Sequence, residues 1–259
     1  TYKSAIDLFS NIDSKLIGLT ATPGRHGVDG GVEETVALAN YYENNIINMN
    51  HFCDGKTPVQ YLQSEGILSN VEVIKLVTDY QLDLSKSERK RLLETGILSD
   101  SILKRVGSDA NRNLLIYEQI KKVTKIYNKK TLVFASSVDN SNTLAAMLVQ
   151  DGVAAKSITG ETFVNDRRQA VKDFNQGKLE VLINYNIFST GFDDPTIECV
   201  VIGRPTFSVV LYSQMVGRGL RGVRNGGTEN CLLVNVVDNL LNLPDFEHAC
   251  NFFDKEWKN

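Results

Sequence analysis

Two arginines three residues apart, Arg218 and Arg221, close the run Gln214-Met215-Val216-Gly217-Arg218-Gly219-Leu220-Arg221. A guanidinium stays ionised and can donate two parallel hydrogen bonds, so a pair of them suits a multiply charged phosphate. Gly217 and Gly219 would let a phosphate or another backbone approach closely. If a helix persists that far, the spacing projects both side chains from one side; the alternative is a solvated basic helix end that offsets the helix dipole. A second run, Ser189-Thr190-Gly191-Phe192-Asp193, combines hydroxyls, a glycine and a carboxylate, although Asp193 also reads as a turn residue ahead of Asp194-Pro195. Thr20-Ala21-Thr22 is a third, and its threonines taken alone are turn and cap residues.

Regular elements must position these runs. Short apolar stretches predict strands over 15–19, 71–77, 131–135, 154–158, 180–183, 198–202 and 231–237. Helical spacing predicts helices over 33–42, 57–68, 111–127, 140–150, 165–175 and 209–217, the second opened by Thr57 as N-cap and Pro58 as first helical residue. Ser85-Lys86-Ser87-Glu88 is a capping box that starts a charged helix to residue 93 with little apolar face, and residues 79–108 read as a linker or small insertion. Strands alternating with helices from residue 111 onward imply βαβ units, hence an α/β fold with a parallel sheet and helices on both faces. In such a sheet ligands bind beyond the carboxyl ends of the strands, and all three polar runs are expected there.

Composition bounds the partners. With 28 basic and 31 acidic residues the net charge is -3, so nucleic acid has to be argued from local residues rather than from an overall basic footprint. No apolar run approaches the roughly 20 residues of a membrane span. Cys53, Cys199, Cys231 and Cys250 form no CxxC pair, which suggests neither a zinc ribbon nor a disulfide framework and makes a reducing cytoplasm the expected location. His51 with Cys53 and His248 with Cys250 fall in unrelated segments, so no metal site is expected. The chain starts at Thr1 with no apolar signal segment and is expected to be a piece of something longer.

Thr20-Ala21-Thr22-Pro23, Leu132-Val133-Phe134-Ala135, Ser189 to Asp193, and Gln214-x-x-Gly217-Arg218-x-x-Arg221 stand in the order and at the spacing of motifs III, IV, V and VI of superfamily-two helicases. The chain resembles that superfamily over residues 15–25 and 110–240. Thr22-Pro23-Gly24-Arg25 and Arg218-Gly219-Leu220-Arg221-Gly222 resemble the DEAD/DEAH-type motor of restriction-enzyme translocating subunits, the type I and type III res-like branch, and of bacterial relatives of excision-repair helicases. The resemblance implies two RecA-like lobes with ATP between them and nucleic acid across their top. Residues 1–78 would then be a remnant of the first lobe with motif III, 79–108 the linker, and 109–259 the complete second lobe.

On the same resemblance Arg221 would be the arginine finger that reaches the γ-phosphate, Arg218 its support, and Gln214 a coupling residue. Gly191 and Asp193 would approach the nucleotide sugar, while Thr20 and Thr22 would link the ATP site to the strand-binding face. Ser136, Ser137, Thr159, Gly160, Ser189, Thr190 and Arg204 would touch nucleic-acid phosphates. Arg167 and Arg168 stand on a helix that faces either the cleft or solvent, and Arg112 is undecided.

A motor of this class also needs a P-loop and a DExH-type acidic pair. Gly55-Lys56-Thr57 lacks the upstream glycine, where Asn50 stands, and reads as a helix start. Leu232 to Asp238 imitates a strand ending in a magnesium-binding aspartate but follows motif VI. ATP and Mg2+ are therefore expected in the full-length protein, held mainly by a preceding lobe, and the present chain alone is expected to be inactive. The expected partners are nucleic acid, double-stranded DNA first, and restriction-modification subunits, with no membrane. The competing readings are a non-catalytic nucleic-acid or partner-binding module that kept the fold, a DNA-repair or RNA helicase of the same superfamily, and a nucleotide-sugar or dinucleotide enzyme. The last lacks its GxGxxG, since Phe134-Ala135-Ser136-Ser137 stands where that motif belongs.

Overall fold

Six strands pair side by side into one sheet, with every neighbouring pair parallel. The computed structural model describes residues 15–20, 32–47, 55–95, 97–187 and 192–238, together with Ile6, Leu8 and Cys53. In chain order the elements are α1 (Val32–Tyr41), α2 (Pro58–Ser64), β1 (Asn70–Val77), α3 (Lys86–Thr95), α4 (Asp100–Gly107), α5 (Ala110–Lys125) and β2 (Thr131–Phe134). There follow α6 (Val138–Gln150), β3 (Ala155–Ile158), α7 (Val164–Asn175), β4 (Val181–Asn184), β5 (Cys199–Ile202), α8 (Val209–Val216), a 3-10 turn (Val223–Asn225) and β6 (Asn230–Val237). The strand order is β1-β6-β5-β2-β4-β3.

Strand side chains alternate between the two faces, and each face has its own helices. Leu132, Leu182, Val200 and Leu233 meet Ala170 and Phe174 of α7 and Tyr212 and Met215 of α8. Val133, Ile183, Val201 and Val234 meet Ile116 and Ile120 of α5 and Leu144 and Leu148 of α6. This double cover explains why β2, β4 and β5 are buried at every position and read as unbroken apolar runs. The parallel α/β sheet with helices on both faces is the architecture expected of a RecA-like lobe. Among the described residues no helix is long and apolar enough to cross a membrane.

Three expectations are corrected. Residues 15–20 form no strand and are exposed, Leu19 to 94%; a strand exists only by pairing, and no strand of the sheet pairs with them. The helix expected over 57–68 stops at Ser64, because Gly66 turns the chain at φ +66 and Ile67 and Leu68 both return their N–H groups to the carbonyl of Leu62. The division at residue 78 does not hold for β1, which pairs with β6 along all of Asn70–Val77 and so extends the sheet of the second unit.

Residues 79–108 are likewise more than a linker. Leu92, Leu98, Ile102, Leu103 and Val106 form a small core with Tyr80, Leu82 and Leu84, closed on the sheet side by Tyr185 and Phe207. The unexpected helix here is α4, N-capped by the Ser99 hydroxyl. Its signal was present in the sequence: Ile102, Leu103 and Val106 after Ser99 have helical spacing.

Candidate functional site

A parallel crossover has to bring the chain back to the amino edge of the sheet before the next strand can begin. The described parts of the last two polar runs therefore fall at the amino edge, contrary to the expectation that they lie beyond the carboxyl ends. Asp193, Arg218 and Arg221 are at the amino edge. Arg221 Nε donates to Asp193 Oδ1 at 3.0 Å, and Arg218 Nη1 donates to the carbonyl of Phe192. Arg218 is half-buried; burial and then the like charge of Arg221 lower its pKa, while Asp193 acts the other way.

The two arginines do not share a helix. α8 ends at Val216, and Gly217 to Gly219 turn the chain inward. Gly219 lies so close to the sheet that a Cβ there would stand 2.6 Å from Cys231 Sγ and from Val200 Cγ2. Arg221 then forms an antiparallel bridge with Leu68, and its carbonyl accepts the Ser69 hydroxyl at 2.8 Å. Convergence on Phe192-Asp193 thus comes from the glycine turn rather than from helical spacing. Gln214 lies on the last turn of α8, half-buried.

The facing loop is fixed from behind. The buried Asp194 carboxylate accepts Lys130 Nζ at 2.6 Å, the Thr196 backbone N–H at 2.9 Å and the Thr196 hydroxyl at 2.7 Å. Lys130 Nζ also lies 4.4 Å from the centre of the Phe174 ring, and Phe192 packs beside that ring at 6.5 Å. Asp194 is bound inward, which leaves Asp193, its neighbour, exposed toward Arg221. Sequence reasoning did not identify Lys130 or Asp194 as supports.

At the carboxyl edge, Ser136 and Ser137 are turned to structural use. Ser136 Oγ donates to Gly203 O at 2.9 Å, and Ser137 Oγ caps α6 by accepting Asn140 N at 3.1 Å. Both are buried, since α4 ends on top of them: a Cβ on Gly107 would lie 3.0 Å from Ser137 Oγ. The expected phosphate contact by these hydroxyls is corrected on that ground. Thr159 is also buried and its hydroxyl accepts Glu161 N at 3.3 Å, whereas Gly160 is exposed. Arg167 Nη2 donates to Thr162 O at 3.2 Å on the same turn, and Arg168 is exposed. Arg204 lies 5.3 Å from the centre of the Tyr185 ring and donates to Asn186 Oδ1, with its pKa lowered by burial.

Arg112, undecided from sequence, is a buried structural residue. Its Nε donates to Asp238 Oδ1 at 2.7 Å and its Nη2 to Asp238 Oδ2 at 3.0 Å and to Gly203 O at 2.6 Å. Thr78 adds its hydroxyl to the same carboxylate at 2.7 Å. Asp238 is therefore an internal counter-ion, as its place after motif VI suggested. Arg112 was legible in principle, since it shares a helical stripe with Ile116, Ile120 and Val123.

Thr20 is exposed. Thr22, Ser189, Thr190 and Gly191 lie outside the described residues, as do His51, His248 and Cys250. Two guanidinium groups on one edge fit the terminal phosphate of a nucleotide. Among the described residues no group of three or more histidines, cysteines and carboxylates could hold a metal ion, so no magnesium ligand is assigned.

Residues 112–223 match the family model of the helicase conserved C-terminal domain. A 51.5 kDa protein of a Lactococcus phage is 26% identical over 265 residues, covering 100% of this chain and 51% of its own length. The putative mitochondrial ATP-dependent helicase irc3 of Schizosaccharomyces pombe is 37% identical over 110 residues, 42% of this chain and 18% of that protein. The chain thus spans about half or less of these relatives' lengths. Among solved structures, domain 2 of the Mss116p DEAD-box helicase, bound to an RNA duplex, aligns at a TM-score of 0.43 and 22% identity, over 50% of this chain and 51% of that one.

Proposed function

We propose, from the premise that residues 112–223 form a helicase C-terminal domain of superfamily two, that this chain is the second motor lobe of an ATP-dependent DNA translocase or helicase. The observation that carries the reading is the convergence of Arg218 and Arg221 on Phe192-Asp193 at one exposed edge. A binding module would have no use for a phosphate clamp there.

In this reading ATP with Mg2+, held mainly by a preceding lobe, supplies the phosphoryl group. Arg221 exchanges the Asp193 carboxylate for the terminal phosphate and stabilises charge there as an arginine finger. Arg218, held by the Phe192 carbonyl, keeps that edge positive and orders the loop. Gln214 couples the edge to α8, and Gly191 with Asp193 approaches the nucleotide sugar. Thr20 and Thr22 link the ATP site to the first lobe's strand-binding face. Ser189, Thr190, Gly160 and Arg204 contribute to the nucleic-acid track; of these, Gly160 and Arg204 stand on the opposite edge from Arg218 and Arg221.

An arginine finger is worth roughly 1,000- to 100,000-fold in rate. Arg221→Ala in the full-length protein is expected to lower nucleic-acid-stimulated ATP turnover by about 1,000-fold or more while nucleic-acid binding persists. Unchanged turnover would make the chain a non-catalytic module instead. The chain by itself is expected to hydrolyse no ATP, and robust turnover by it would overturn the two-lobe reading.

Duplex DNA as the track, and a restriction-modification setting with its partner subunits, follow from the likeness of Arg218-Gly219-Leu220-Arg221-Gly222 to restriction-enzyme motors. ATP turnover measured with duplex DNA, single-stranded DNA and RNA tests the first. Stimulation by RNA alone would place the protein with the RNA helicases.

A further inference from the structure

We infer that α3 and α4 form a nucleic-acid contact surface, in which Lys86, Arg89, Lys90 and Arg91, with Lys104, bind the phosphate backbone at the carboxyl edge of the sheet. The inference rests on the helicase reading but concerns a segment outside the matched residues 112–223.

Placement is the first argument. The two helices close over the carboxyl ends of β4 and β5 through Tyr185 and Phe207. Tyr185 donates its hydroxyl to Asp100 Oδ1 at 2.9 Å, and the same ring lies under the Arg204 guanidinium. The helices therefore adjoin the proposed track, and Gly107 covers the two serines that would otherwise have served it. Backbone phosphates approaching this edge meet the helix pair before they meet Ser136 or Ser137.

Charge is the second. The whole chain carries -3, yet four cations fall within the six residues 86–91, all of them exposed. Two carboxylates of this segment, Glu88 and Asp100, are engaged within the helix pair. Glu88 accepts Ser85 N at 2.9 Å and pairs with Arg105 at 3.3 Å, contacts that hold its pKa low, and Asp100 is bound to Tyr185. None of the four cations belongs to the hydrophobic cluster of the helix pair. Packing alone would be satisfied by any soluble side chains there, whereas phosphate binding needs cations.

The test uses the full-length protein and labelled single- and double-stranded oligonucleotides, with affinity followed against salt. Each phosphate contact contributes about 0.7 to 0.9 to the log–log slope, so Lys86→Gln/Arg89→Gln/Lys90→Gln/Arg91→Gln should make it shallower by about 2 or more. Lys172→Gln/Lys178→Gln, exposed on the last turn of α7 and just beyond it, should leave the slope alone. Should circular dichroism show the quadruple variant unfolded, Arg89→Gln/Lys90→Gln is read instead, with a change of about 1. A slope equal to that of the unaltered protein overturns the inference and leaves the helicase reading standing; failure of the unaltered protein to bind any oligonucleotide overturns both.

Discussion

Each edge of the sheet carries an arginine paired with an aspartate. At the carboxyl edge Arg112 and Asp238 are fully buried, joined by two hydrogen bonds, and tied to Gly203 and Thr78. At the amino edge Arg221 and Asp193 share one contact at 3.0 Å with 40% and 65% of their side chains exposed. Removing a partner from the first pair strands a charge away from water, so neither side chain can let go of the other at low cost. The second loses little if opened, since water screens both groups. One pairing chemistry thus serves as a rivet where water is excluded and as a releasable hold where water is present.

The difference can be broken from the rivet side first. Asp238→Asn should lower the unfolding free energy by about 3–5 kcal/mol, read by urea denaturation of the chain. Arg112→Met/Asp238→Leu should recover much of that loss, because no unpaired charge remains; equal destabilisation by both variants would contradict the assignment. Gly219→Ala, with its Cβ driven against Cys231 and Val200, should cost about 1–3 kcal/mol. Because the same shift moves both arginines, it should also lower ATP turnover in the full-length protein. Smallest is Arg221→Ala, expected to change stability by no more than about 1 kcal/mol in the same denaturation experiment, despite its large effect on turnover. A loss as great as that of Asp238→Asn would mean that the amino-edge pair is structural too.

The two edges also differed in how far they could be read in advance. Arg218, Arg221 and Asp193 were singled out as candidates from residue type and motif order, but expected at the other end of the sheet, because strand-end reasoning ignores how far the chain travels after a strand. Ser136 and Ser137 were chosen for being hydroxyls after a strand; only the packing of α4 over them shows that they are buried. β1 was recognised as a strand but assigned to the wrong unit, since strand pairing is a long-range contact, here between residues 70–77 and 230–237.

By itself the sequence determined the apolar periodicity, and with it the alternating strands and helices, the parallel sheet and the family likeness carried by the motif at Gln214 to Arg221. These are local properties, set by side-chain chemistry and by spacing along one chain. Tertiary structure decided which edge Asp193, Arg218 and Arg221 occupy, that β1 joins β6, that residues 79–108 fold onto the sheet, and which arginine is buried. Those outcomes depend on contacts between residues far apart in the chain and on where water is excluded, and neither is written in any single segment.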